Sequence, residues 1–119
     1  MRDIGLTPRE IDLIRGVFRH FPSISEVTLY GSRAKGTYRP ESDIDLALID
    51  VDDDVQAEAV ADELDELPLP YRFDVKAYGS IKYGPLREHI ERVGVSLYLR
   101  DSSDKDNAAT NPTTAPNIT

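Results

Sequence analysis

The chain has 119 residues, no cysteine, and 14 Lys and Arg against 22 Asp and Glu, for a formal net charge of −8. That rules out a disulfide framework, a thiol nucleophile and a cysteine-based zinc site, and it argues against broad electrostatic binding to nucleic acid, which needs a basic face. No apolar run approaches the length of a membrane span and the N-terminus lacks a signal-peptide pattern, so the expectation is a cytoplasmic protein of one domain, with no membrane segment.

Thr7-Pro8-Arg9-Glu10 is a helix start: Thr7 can cap, Pro8 suits the first turn, and Glu10 can reach back to complete a capping box. Ile11, Ile14, Val17, Phe18 and Phe21 then recur at helical spacing, a stripe that belongs to a core, and Pro22 stops the helix. Val27 to Tyr30 form an apolar β-prone run that ends in Gly31-Ser32. Residues 32–42 are expected to hold a short helix and a Pro-containing loop that returns to Asp43. A second strand runs over Ile44 to Ile49. From Asp50 to Glu66 there are nine acidic residues and no basic one. That run reads as a solvated helix face, or as a docking surface for a basic partner. The helix within it starts at the Asp52-Asp53-Asp54 cap, turns Ala57, Val60, Ala61, Leu64 and Leu67 inward, and ends before Pro68 and Pro70.

Tyr71, Phe73, Val75 and Ala77 alternate with Arg72, Asp74 and Lys76, the period of a half-buried strand, which places Asp74 on the face opposite the apolar set. Pro85 opens a last helix with Leu86, Ile90 and Val93 on one face and Gly94 as its C-cap, and Val95 to Leu99 make a final strand. The two histidines, His20 and His89, fall at or within helices and suit surface or helix-end roles better than metal ligation. The expected fold class is α/β, a small mixed sheet with helices packed against it, over residues 1–100. From Asp101 the chain is small, polar or Pro apart from Ile118, and residues 101–119 read as a flexible tail.

The chemistry concentrates between the first two strands. Glycine at Gly31 lets backbone approach a ligand closely, and the exposed N–H groups of a Gly-Ser turn can hold phosphate oxygens. Asp43 and Asp45 are two apart on an extended segment, so both carboxylates point to one face. Hard oxygen ligands beside a phosphate cradle suit Mg²⁺. Gly31-Ser32 followed by Asp43-Ile44-Asp45 resembles the signature of the DNA polymerase β-like nucleotidyltransferases. Asp74 stands where that family carries a third carboxylate. The stretch Leu86-Arg87-Glu88-His89-Ile90-Glu91-Arg92-Val93-Gly94-Val95-Ser96-Leu97-Tyr98 matches its usual ending of helix, glycine and short strand. Over residues 8–99 the chain is similar to the minimal nucleotidyltransferases of antitoxin type, which are often paired with a HEPN-domain toxin.

The resemblance implies that Asp43, Asp45 and Asp74 hold two Mg²⁺ ions, and that Asp74 also draws a proton from the attacking hydroxyl. It implies that Gly31 and Ser32 grip the outer phosphates of ATP. Arg33 and Lys35 read either as neutralisers of those phosphates or as exposed helix charges. Larger relatives have an acceptor-binding domain for which this chain has no room, so a partner is expected to complete the cleft. By resemblance that partner is a HEPN ribonuclease toxin, silenced by transfer of AMP to a tyrosine hydroxyl. Two other readings stay open: an antitoxin that neutralises its partner by contact alone, and an enzyme acting on a small-molecule hydroxyl.

Overall fold

The computed structural model describes residues 3–100; the expected tail at 101–119 lies outside them. The first helix, α1, spans Pro8–Arg19. Its capping box forms as expected: the Thr7 hydroxyl accepts from the Glu10 N–H at 3.1 Å, and Glu10 accepts from the Thr7 N–H at 2.9 Å. The helix stops at His20, two residues before Pro22, and the last two amides fold into tighter turn bonds.

β1 (Glu26–Tyr30) runs directly into α2 (Gly31–Lys35), then β2 (Ile44–Leu48), α3 (Asp54–Asp65), β3 (Phe73–Ala77), a short 3-10 turn (Tyr78–Ser80), α4 (Gly84–Val93) and β4 (Val95–Leu99). Asp53 caps α3 by accepting from the Val55 N–H at 2.8 Å. Gly94 caps α4 in an extended rather than left-handed conformation, because the chain turns straight into β4.

The four strands lie in the order β3-β2-β1-β4. β1 is antiparallel to both β2 and β4, whereas β2 and β3 are parallel and joined by α3 as the crossover. The expected mixed sheet is what forms. Alternation along the strands gives it two unequal faces. Val27, Leu29, Ile44, Leu46, Leu48 and Ala77 pack with Ile14, Val17 and Phe18 of α1 and with Ala57, Val60 and Leu64 of α3 in the main core. On the other face Tyr30 and Ala47 meet Ile81 and Ile90 in a smaller one. α4 therefore covers only part of that face, and Asp45, Asp74 and Lys76 occupy the part it leaves. No helix among the described residues is long and apolar enough to cross a membrane.

Candidate active site

Strand register gathers the polar residues of the second face. Tyr30 pairs with Asp45, and Asp45 with Asp74, so the three form a row across β1, β2 and β3. Neighbouring strands are about 4.8 Å apart, and paired residues present their side chains to the same face. Asp43 sits just before β2 and is exposed, Asp45 is half-buried, and the Asp74 side chain keeps 49% of its surface open. Lys76, one alternation along β3, donates to both Asp74 carboxylate oxygens at 3.0 Å.

Packing negative groups together has an electrostatic consequence. Burial, then the charges of Asp74 and Asp43, push the Asp45 carboxyl up to about 6, with Lys76 opposing. Burial, then Asp74 and Asp45, likewise raise the Tyr30 phenol well above its ordinary range. Its hydroxyl is buried without a hydrogen-bond partner among the described residues, and the His89 ring stands edge-on to the phenol with centroids 6.1 Å apart. An orphaned hydroxyl of this kind costs about 1–3 kcal/mol unless a ligand or water meets it.

The sign of the Asp45 effect yields a test. A carboxyl whose folded-state pKa lies above its ordinary value contributes stability that is complete below about pH 4 and lost as pH rises through about 6. Asp45→Asn should therefore raise Tm at pH 8 in metal-free buffer and leave it nearly unchanged at pH 4. Calorimetry at the two pH values checks this; an equal shift at both would show that charge is not the cause.

Gly31 joins the segment expected to cradle phosphate to this row. Its φ is +77°, and a Cβ there would overlap Asp45 Oδ2, so backbone and carboxylate are in direct contact. Ser32 is half-buried and Lys35 exposed, both on α2 beside that contact.

Arg33 is elsewhere. Expected among the phosphates or as an exposed charge, it is only 1% exposed. Its guanidinium donates to the carbonyls of Ile4 (3.0 Å), Gly5 (3.4 Å), Pro40 (3.2 Å) and Ser42 (3.0 and 3.2 Å). The Tyr38 and Tyr71 rings flank it at 5.2 and 5.0 Å. Arg33 thus ties the N-terminal segment to the loop that delivers Asp43. A five-residue helix shows no periodicity from which this inward turn could be read. Arg33→Ala should cost about 3–5 kcal/mol, through orphaned carbonyls and lost packing, and Arg33→Lys should recover only a minor part because it lacks the planar fork. Urea denaturation measures both; a change below about 1 kcal/mol would refute the tethering role.

Tyr30 and Lys76 were not singled out from sequence, and His89 was read only as a surface or helix-end residue. Lys76 had a usable signal, since it alternates in step with Asp74. Tyr30 had a weaker one, as the residue abutting Gly31. His89 had none, because only the packing of α4 brings it to Tyr30.

Among the surface grooves are four of about 340–400 Å³ that Asp43, Asp45 and Asp74 do not line. With Asp43 exposed and Asp74 half open, the carboxylates stand on an open shelf. Among the described residues no three His, Cys, Asp or Glu side chains are gathered closely enough to chelate a metal by themselves, and Asp74 is engaged by Lys76. The donors nonetheless fit Mg²⁺: they are hard carboxylate oxygens whose mutual repulsion, seen at Asp45, is what a divalent cation relieves.

Comparison with solved structures shows the same fold. A chain of a toxin–antitoxin crystal structure with AMP-PNP superposes with a TM-score of 0.63 at 24% identity, covering 80% of this chain and 77% of that one. A chain of the tri-AMPylated Shewanella oneidensis HEPN toxin in complex with its MNT antitoxin gives 0.57 at 21%, covering 80% and 74%. A chain of the MntA-HepT toxin–antitoxin gives 0.56 at 21%, with the same coverage. No curated protein sequence matches. The family described as "Polymerase beta, Nucleotidyltransferase" matches residues 12–103, well over half of the chain, and the protein belongs to that nucleotidyltransferase family.

Proposed function

We propose that this chain is a cytoplasmic, Mg²⁺-dependent protein adenylyltransferase, which moves AMP from ATP to a tyrosine hydroxyl of a HEPN-type ribonuclease toxin and so acts as its antitoxin. The observation that carries the reading is the Tyr30–Asp45–Asp74 row, in contact with Gly31 and lying on an open shelf of a nucleotidyltransferase-family chain. The shelf leaves room for a partner to form the other wall. The similarity in fold to antitoxins in complexes with HEPN toxins supports the kind of partner.

Asp43, Asp45 and Asp74 would hold two Mg²⁺ ions. Bound Mg²⁺ supplies positive charge that polarises the attacking and departing oxygens. The remaining tasks belong to the chain. Gly31 and Ser32 present backbone N–H groups to the outer phosphates, and Lys35 adds a mobile positive charge. The acceptor oxygen attacks the α-phosphorus of ATP, the bond to the β-phosphate oxygen breaks, and pyrophosphate leaves. Asp74 takes the hydroxyl proton, and Lys76 orients that carboxylate. Arg33 acts at a distance, by holding the loop that places Asp43.

ATP labelled at the α-phosphate should transfer its label to the co-purified partner, while γ-labelled ATP should not. Transfer from the γ position would replace this reading with a kinase. The contact-only antitoxin remains a second reading because Lys76 engages Asp74. It predicts that a variant without the carboxylates still neutralises the partner.

A further inference from the structure

Away from the carboxylates, the other edge of the sheet carries a second concentration of charge. Among the described residues β4 is an edge strand, paired only with β1, and its register sets Val95 beside Leu29 and Leu99 beside Glu26. Its C-terminal end therefore lies at the end of the sheet opposite Tyr30. There a groove of about 390 Å³ is lined by Arg15 and Arg19 of α1, by Ser96, Leu97, Tyr98 and Leu99, and by Arg100.

In a chain of net charge −8, arginines should find carboxylates readily, yet among the described residues none of these three does. Arg15 donates its Nε to the Leu97 carbonyl at 2.7 Å, at the residue skipped where the β1–β4 register shifts. Its terminal nitrogens make no hydrogen bond among the described residues. Arg100 donates to the Phe21 carbonyl at 3.1 Å, while its buried Nε has no hydrogen-bond partner among the described residues. Arg19 is exposed and makes no hydrogen bond among the described residues. Beside them Leu99 leaves 69% of its surface open.

We propose that this groove binds an extended acidic segment of a partner protein, laid along β4. Charge sign is one argument and spacing is another. Arg15 and Arg19 are one helical turn apart, about 6 Å of rise, and alternate side chains of an extended chain are about 6.6 Å apart. Acidic residues at every second position would meet the two guanidiniums in step, with Arg100 extending the row. The apolar residues between them would cover Leu99, and the strand edge offers backbone groups for pairing. A free phosphate would use only the guanidiniums and leave Leu99 and the strand edge unused. The site is separate from the carboxylate shelf and does not depend on catalysis there.

Fluorescence anisotropy of a labelled peptide alternating Glu with Val and Leu, titrated with the full chain at low salt, tests the proposal. Saturable binding is expected, weakened at least roughly tenfold when Gln replaces Glu and again by Arg19→Glu, the scale of one lost charged contact. Arg19→Glu should leave the fold intact, since its side chain holds no other element, with Tm lowered only by the small cost of a reversed charge in the last turn of α1. Inorganic phosphate at matched ionic strength should not displace the peptide. No binding, equal binding of the Gln peptide, or full affinity in Arg19→Glu would overturn the proposal. Displacement by phosphate would overturn it too, and would mark a phosphate site instead.

Discussion

Replacing Asp43 and Asp45 together by Asn is expected to lower AMP transfer by at least about 10³-fold, the scale of the several kcal/mol that metal-held charge contributes to a phosphoryl-transfer transition state. The fold should survive. Asn is nearly isosteric with Asp, Asp43 is exposed, and the Asp45 carboxyl is one the fold already disfavours in its charged form. The double variant should therefore be at least as stable as the parent at pH 8 in metal-free buffer, which separates lost chemistry from unfolding. Mg²⁺ should raise the Tm of the parent and not of the variant, giving a readout independent of turnover. A variant that still transfers label at even a tenth of the parental rate would remove these carboxylates from the mechanism.

Gly31→Ala is expected to have the second-largest effect, for a reason that is geometric rather than electrostatic. A residue with a side chain at φ +77° costs about 1–2 kcal/mol, and here the new Cβ would also overlap Asp45 Oδ2. Either the backbone retreats from the phosphate position or Asp45 swings away from Asp74. A displacement near 1 Å at a reacting centre costs roughly 10²-fold in rate. Gly36 supplies the control. It is also left-handed, at φ +85°, but an added Cβ would meet nothing within 4 Å. Gly36→Ala should pay the same backbone strain in Tm while keeping most of the activity. Equal rates for the two variants would show that contact between Gly31 and Asp45 is irrelevant to turnover.

The parts of the fold that sequence made legible are those written in short-range patterns. The capping box at Thr7 and Glu10 forms on the expected residues, Asp53 takes the cap expected of Asp52-Asp53-Asp54, and the alternation from Tyr71 to Ala77 appears as a strand that starts two residues later; each rests on residues a few positions apart. Strand order was not legible: nothing in the chain states that β4 returns to the outer edge of β1 while β3 lies parallel beside β2. That order is what sets Asp74 next to Asp45. Arg33 marks the limit more sharply. Proximity to Gly31-Ser32 suggested a phosphate ligand or an exposed charge, but the carbonyls that hold its guanidinium come from residues 4, 5, 40 and 42 and converge only after the loop has closed. Tyr30 went unremarked because a tyrosine ending an apolar strand reads as core. Its significance lies in a hydroxyl left without a partner beside two carboxylates.

On the proposed function, these carboxylates move AMP onto a partner protein. Intact mass spectrometry of the protein that co-purifies with this chain, before and after incubation with Mg²⁺ and ATP, tests it most directly. The prediction is a gain of one or more AMP units that is absent with the Asp43→Asn, Asp45→Asn double variant. A stable partner whose mass does not change, and which the double variant neutralises as well as the parent does, would contradict AMP transfer and leave an antitoxin that works by contact alone.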